Sequence, residues 1–139
     1  MLSICIQDIE DIPRAAKEYL DTVGDSKVHC FDADMGAGKA TFISGLLKSM
    51  GIENVEGSPT YSLVNVYDSE MFGKIYHFDL YRINDLAEAL DMGLEEMLYS
   101  DAVCLIEWPD VIKTLLPDET IWAKMRINED ASRTINIEL

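Results

Sequence analysis

The stretch that decides the fold runs from residue 28 to residue 42 and reads VHCFDADMGAGKATF. Its first four residues are an apolar run, which predicts a buried strand. From Lys39 onward, apolar residues recur on one helical face, which predicts a helix. A strand, a glycine-containing turn ending in Gly-Lys and a helix together let backbone N–H groups and the helix dipole bind phosphate. The stretch therefore predicts an α/β protein with a phosphate-binding loop (P-loop).

The loop departs from the pattern G-x-x-x-x-G-K-[ST] at two positions. Ala33 stands where the first glycine is expected, and Ala40 stands where a hydroxyl normally binds Mg²⁺. Thr41 follows one residue later, about 100° around the helix, so we do not expect it to replace that hydroxyl. The plainer alternative is an ordinary strand-to-helix turn. The residues predicted to bind the nucleotide at this turn are Met35, Gly36, Ala37, Gly38, Lys39, Ala40 and Thr41.

Composition predicts one cytoplasmic domain covering residues 1–139. The chain is 48% hydrophobic and 27% charged, as globular proteins are, and has no apolar run long enough to span a membrane. The start of the chain does not have the pattern of a secretory signal. All three cysteines, Cys5, Cys30 and Cys104, lie in strand-like apolar runs, so we expect reduced and buried thiols.

The net charge of −15 restricts the partners of the chain. Free RNA would be repelled, so we expect any contact with nucleic acid to be indirect, through a partner protein. An ATP site in such a chain depends on local cations, for which the candidates are Lys39, Arg82, Arg133 and a divalent metal.

Alternating strand and helix patterns predict a central mixed sheet flanked by helices, as in P-loop NTPases. Besides 28–31, strands are predicted at 2–6, 61–67, 74–80, 102–106, 121–127 and 134–139. Helices are predicted at 12–20, 42–50, 84–98 with an interruption at Gly93, and 111–115.

Two carboxylates stand at the ends of predicted strands. Asp79 ends the strand at 74–80, and Glu107 follows the strand at 102–106. Side chains at the carboxyl ends of strands meet at the ligand crevice of α/β sheets, and Mg²⁺ prefers oxygen ligands. Solvated acids are also common at such ends. As a pair beside a P-loop, they predict a metal site.

Several neighbouring residues have two interpretations each. Trp108 is either a core or rim aromatic or a stacking partner for a base. His77 is either a hydrogen-bonded histidine or a catalytic group, and Arg82 pairs with either an acid or a phosphate. Ser58 and Thr60 are either turn hydroxyls or parts of a switch loop that senses the terminal phosphate.

Five segments of the chain resemble the TsaE family (formerly YjeE), small bacterial P-loop ATPases required for threonylcarbamoyladenosine modification of tRNA. The segments are MGAGK at 35–39, SPTYSLV at 58–64, HFDLYR at 77–82, GLEE at 93–96 and LIEWP at 105–109. They occur in order along nearly the whole chain, and HFDLYR and IEWP are more specific than a P-loop alone.

The resemblance implies a P-loop fold that binds ATP or ADP with Mg²⁺. It implies Lys39 on the phosphates, with Asp79 and Glu107 near the metal and the attacking water. These three are the predicted catalytic residues, and the two acids are the predicted metal ligands. The resemblance further implies a switch loop at Ser58 and Thr60, and nucleotide contacts from Trp108 and Arg133, the latter in a loop before the last strand.

The implied role is ATP hydrolysis that resets a complex of the TsaB and TsaD proteins, which would hold the tRNA. Ala40 favours a second hypothesis, a nucleotide-responsive scaffold with impaired hydrolysis. A third hypothesis is a small-molecule kinase, although the chain has no arginine-rich lid segment.

Overall fold

The computed structural model describes residues 2–33, 37–57, 59 and 63–138. Its strands are β1 (Leu2–Ile6), β2 (Val28–Ala33), β3 (Val64–Ser69), β4 (Gly73–Asp79), β5 (Val103–Glu107), β6 (Ile121–Ile127) and β7 (Arg133–Glu138). Its α-helices are α1 (Ile12–Val23), α2 (Lys39–Ser49), α3 (Leu86–Asp91) and α4 (Leu94–Leu98). Two 3-10 helices cover Ile9–Asp11 and Pro109–Leu115.

The strands form one seven-stranded sheet in the order β1-β7-β6-β2-β5-β4-β3. The three inner pairings β2–β6, β2–β5 and β4–β5 are parallel, and the three outer pairings are antiparallel. The predicted mixed sheet is therefore confirmed. Because β2, β5 and β4 are adjacent and parallel, their carboxyl ends meet at one edge of the sheet, beside the start of α2.

Helices cover both faces of the sheet because strand residues alternate between the faces. On one face α1 and α2 pack on the core that contains Phe31, with Tyr19 and Phe42 against its ring. On the other face α3, α4 and the second 3-10 helix pack on the core that contains Cys30 and Cys104. In the part of the chain that is described, no helix is both long and apolar enough to cross a membrane.

The two helices on the first face approach each other closely at Gly45. A Cβ atom built on Gly45 would overlap with Cγ2 of Ile12 in α1. Ile12 is β-branched and cannot move that methyl group away cheaply. Glycine is therefore required at position 45 for this helix packing.

The predicted interruption at Gly93 is confirmed, since the 84–98 segment forms two helices and Gly93 takes φ +80° as the N-cap of α4, in the left-handed region. Other details differ from the sequence predictions. The 111–115 segment is part of a 3-10 helix that begins at Pro109. Arg133 is the first residue of β7 and not part of the preceding loop. Cys5 is exposed, since β1 is an edge strand whose buried side chains are Ile4 and Ile6.

Candidate functional site

The turn predicted to bind phosphate lies between β2 and α2. Met35 and Gly36 lie outside the described residues, whereas Ala37 and Gly38 directly precede the helix. Gly38 takes φ +87° as the N-cap, a conformation that glycine adopts without the strain of a side chain. Gly38 has no side chain that could cap the helix, so this residue leaves the first N–H groups and the positive dipole end of α2 without neutralisation.

Lys39 projects from the first turn of α2 toward an aromatic pair. Its Nζ lies 3.9 Å from the centroid of the Trp108 ring, close enough for a cation–π interaction. The Trp108 ring in turn lies 4.9 Å from that of Tyr81. Burial lowers the pKa of Lys39 below its ordinary value, while the carboxylates of Glu107 and Asp79 counteract that shift. The site therefore holds a partly desolvated cation facing two acids.

The two predicted acids are brought side by side. Asp79 at the end of β4 and Glu107 at the end of β5 are direct partners in the parallel register. The backbone N–H of Leu80 donates to the Glu107 carbonyl at 3.1 Å, which extends the pairing past the strand end. Glu107 is only 3% exposed, whereas Asp79 is partly accessible.

The pKa of the Asp79 carboxyl group responds to several neighbours. Burial raises its pKa, the hydrogen bond donated by the Tyr81 N–H at 3.1 Å lowers it, and the adjacent Glu107 raises it. The net direction is upward. A carboxylate with a raised pKa is a better proton acceptor than an ordinary aspartate, which suits a group that orients water.

His77 lies two residues before Asp79 on the same face of β4. Its Nε2 lies 2.7 Å from Oε2 of Glu107, and both side chains are buried. Of the two interpretations of His77, the hydrogen-bonded one describes this geometry.

The chemistry of the donor set fits part of a Mg²⁺ site. Carboxylate oxygens from Asp79 and Glu107 are suitable ligands, and Mg²⁺ in phosphate sites normally adds phosphate oxygens and waters to one or two carboxylates. Among the described residues, no group of three or more His, Cys, Asp and Glu side chains could hold a metal ion by itself. Ala40 is exposed at the start of α2 and supplies no side-chain oxygen.

A cleft of about 220 Å³ opens on the other side of the P-loop turn. Arg133 borders it, and its Nε donates to the Ala37 carbonyl at 3.1 Å. Thr41 also lines this cleft. The lining residues are Ile6, Gln7, Asp8, Ile9, Ile12, Ala37, Gly38, Thr41, Met125, Ala131 and Arg133.

The lining of this cleft includes four predicted nucleotide-binding residues, namely Ala37, Gly38, Thr41 and Arg133. Its other walls come from the end of β1, the start of α1 and the β6–β7 turn, which are far apart in sequence. No periodicity or motif connects these segments, so the sequence did not predict them as parts of one cleft. Trp108, predicted near the nucleotide base, does not line the cleft and lies on the side of Lys39.

Two further predictions concern loops. Arg82 is exposed and follows the Asp79 turn, and it makes interactions within the protein. Ser58 and Thr60, the predicted switch residues, lie outside the described residues.

Comparison with known proteins identifies similar sequences over most of the chain. The family model "Threonylcarbamoyl adenosine biosynthesis protein TsaE" matches residues 6–135. A TsaE protein of Haemophilus influenzae is 41% identical over 109 residues, which cover 78% of this chain and 66% of the relative. A TsaE protein of Rickettsia bellii is 36% identical over 129 residues, covering 92% of this chain and 88% of the relative. Both are named as tRNA threonylcarbamoyladenosine biosynthesis proteins.

A solved structure has the same fold. The crystal structure of YdiB from Bacillus subtilis superimposes with a TM-score of 0.76 and 27% sequence identity, covering 98% of this chain and 83% of that one. The mixed sheet with flanking helices is accordingly a P-loop NTPase-like α/β fold.

Proposed function

This chain belongs to the TsaE family of tRNA threonylcarbamoyladenosine biosynthesis proteins, and from that premise we propose that it is the ATP-binding and ATP-hydrolysing component of the modification machinery. The observation that carries the proposal is the convergence of three groups. The Lys39 ammonium at the helix start lies within electrostatic reach of Glu107 and Asp79, which are paired at the ends of adjacent parallel strands. Cation, helix N-terminus and paired acids are the parts that phosphoryl transfer from ATP needs.

The nucleotide would lie across the P-loop turn. Its phosphates would contact the N–H groups at the start of α2 and the Lys39 ammonium. The nucleoside would enter the cleft bordered by Arg133 and Thr41, which is next to the turn and of suitable polarity. With this assignment the base does not stack on Trp108. The role we propose for Trp108 is to hold Lys39 in place beneath the phosphates.

Asp79 is the residue we assign to the attacking water. It is accessible, its pKa is raised, and it lies next to Lys39 in the same site. Glu107 is buried and its orientation is fixed, which suits a ligand rather than a base. A bound Mg²⁺ would neutralise phosphate charge, and Asp79 and Glu107 would hold it together with the nucleotide's own oxygens.

The proposed partner is a complex of TsaB- and TsaD-type proteins, with tRNA contacted only through it. The net charge of −15 supports this division, because a polyanionic surface repels RNA directly. A cytoplasmic location goes with this role.

Ala40 favours a second candidate, a nucleotide-responsive scaffold in which hydrolysis is impaired. The missing hydroxyl removes one of about six oxygen ligands of Mg²⁺, and a water in its place binds less firmly. The two candidates share the nucleotide site and differ in turnover.

Nucleotide titration with and without Mg²⁺, together with phosphate release in the presence of purified TsaB and TsaD proteins, tests both. We expect binding by the wild-type chain and a partner-stimulated rate. Ala40→Thr is expected to tighten apparent Mg²⁺ affinity by about tenfold, roughly 1.4 kcal/mol, the scale of one added polar contact. Ala87→Thr, at an exposed position of α3, is the matched control for placing threonine in a helix.

Each result separates the candidates. Binding without turnover, even with both partners, supports the scaffold, and turnover supports the ATPase. No nucleotide binding by wild type or Ala40→Thr refutes both. An Ala40→Thr protein with unchanged Mg²⁺ affinity shows that the missing hydroxyl does not limit the site.

A further inference from the structure

The buried pair His77 and Glu107 has a geometry that restricts its chemistry. The two side chains come from adjacent parallel strands and approach to 2.7 Å between Nε2 and Oε2. Their side chains are 2% and 4% exposed, so water does not compete for this contact. In the part of the chain that is described, the other ring nitrogen, Nδ1, is buried and has no hydrogen-bond partner.

These facts determine where the ring carries its hydrogen. A hydrogen on Nδ1 would leave a buried donor unsatisfied, and it would turn the Nε2 lone pair toward a carboxylate oxygen. A hydrogen on Nε2 makes the short contact a donated, charge-assisted bond and leaves only a lone pair at Nδ1. The geometry therefore makes Nε2 of His77 the donor to Glu107.

We propose that His77 is a positioning residue for Glu107, fixing its carboxylate so that it can serve as a metal ligand beside Asp79. This inference rests on the proposed function, since it gives Glu107 the ligand role. The Nε2–H bond stabilises the buried negative charge and fixes the rotation of the carboxylate at the end of β5. Residues that hydrogen-bond to a metal ligand typically contribute ten- to 100-fold to metal affinity.

His29 provides the matched control. It is the other histidine of the chain, it is also buried, and it pairs in register with Leu105, as His77 does. Its hydrogen bonds go to the Tyr19 hydroxyl and the Ser26 carbonyl, away from the acids. Replacing His29 therefore perturbs a buried histidine without removing a bond to Glu107.

The experiment compares wild type with His77→Met, His77→Gln and His29→Gln. Fluorescent ATP analogue binding is titrated with Mg²⁺ and repeated in EDTA, and thermal unfolding checks the fold. We expect His77→Met to weaken apparent Mg²⁺ affinity by roughly ten- to 100-fold, while affinity in EDTA stays within about twofold. His77→Gln carries an N–H donor at a similar position and is expected to recover most of the loss. His29→Gln is expected to lower stability and leave Mg²⁺ affinity unchanged.

The possible outcomes are distinct. A His77→Met protein with wild-type Mg²⁺ affinity overturns the proposal, and so does a His77→Gln protein as weak as His77→Met. Nitrogen-15 spectra of the wild-type histidine rings test the hydrogen bond even if the methionine variant does not fold. A hydrogen on Nε2 of His77 supports the proposal, and one on Nδ1 overturns it. If wild type itself binds nucleotide equally with and without Mg²⁺, the proposed metal site fails, and the positioning role fails with it.

Discussion

Polar groups have different kinds of hydrogen-bond partner at the two ends of the central sheet, and the two histidines show the difference. His29 and His77 are both direct neighbours of Leu105, one on each side of β5. His29 bonds with Tyr19 and Ser26, toward the amino end of β2. His77 bonds with Glu107, toward the carboxyl end, where Asp79 and Lys39 also lie.

At the amino end, polar groups are satisfied by neutral partners within the fold. Ser69 is an example, because its hydroxyl donates to the Met50 carbonyl at 2.6 Å and accepts from the Met71 and Phe72 N–H groups. At the carboxyl end, charged groups crowd together, and Trp108 takes a left-handed φ of +56°, which costs energy for a bulky residue. The comparison teaches that polar groups at the amino end stabilise the fold, whereas the carboxyl end, which carries the proposed nucleotide site, concentrates charge at some cost in stability.

The largest expected effect is at the carboxyl end. Lys39→Ala should weaken ATP affinity by roughly ten- to 100-fold, because hydrogen bonds to charged groups contribute about 1.5–3 kcal/mol. The unfolding free energy should change little, because the cost of partly burying the lysine opposes its attraction to the acids. Titration with a fluorescent ATP analogue measures the loss. Lys48→Ala, in the last turn of the same helix, is the control and should bind as wild type does.

A smaller effect is expected at the amino end, as a dependence of stability on pH. Burial lowers the pKa of His29 to about 4, from an ordinary value of 6.5. Between these values the unfolded chain binds the proton and the folded chain does not, so the unfolding free energy decreases as pH decreases. The contribution of the neutral His29 ring to the unfolding free energy is complete above about pH 6.5. About 2 kcal/mol of this contribution should be lost by pH 5.

Urea unfolding at pH 7 and pH 5 measures this loss. His29→Gln does not titrate, so subtracting its change removes the contribution of the many acids of the chain. Equal losses in the two proteins would contradict the assignment of a buried neutral imidazole to His29.

The smallest effect is a gain. Asp79→Asn removes a carboxylate whose pKa is raised by burial and by Glu107, and it keeps an oxygen to accept the Tyr81 N–H. We expect the unfolding free energy at pH 7 to rise by less than about 1 kcal/mol, because solvent screens a half-exposed group. Phosphate release should be lost. The control is Asp118→Asn in an exposed turn, and destabilisation by Asp79→Asn alone would contradict the contrast between the two ends.

Much of the fold could be predicted from the sequence, because strand composition and helical periodicity are local properties. Residues 2–6 and 121–127 form strands at the predicted bounds. The sequence predicted that Asp79 and Glu107 lie at the same edge of the sheet, but not that they are direct partners. Their direct register depends on β4 and β5 pairing across two intervening helices, which no local pattern encodes.

The rest of the site depends on contacts between distant segments. The cleft beside Arg133 lies between the end of β1 and the β6–β7 turn. Because these segments are far apart in sequence, no local spacing predicts that they form one cleft. Trp108 was predicted near the nucleotide base, and its position beneath Lys39 depends on the left-handed turn after Glu107. The exposure of Cys5 depends on β1 being an edge strand, which composition does not reveal.

The close approach of Gly45 and Ile12 also has a consequence for the cleft to which we assign the nucleoside. Ile12 and Thr41 stand on its walls, one on each helix, and Gly45 is one helical turn beyond Thr41. Since position 45 contributes no side chain, Ile12 of α1 can lie where a Cβ atom at that position would otherwise be in its way. Any larger residue there would act as a wedge and separate the walls of the cleft. Gly45 thus influences the width of a cleft that it does not itself line.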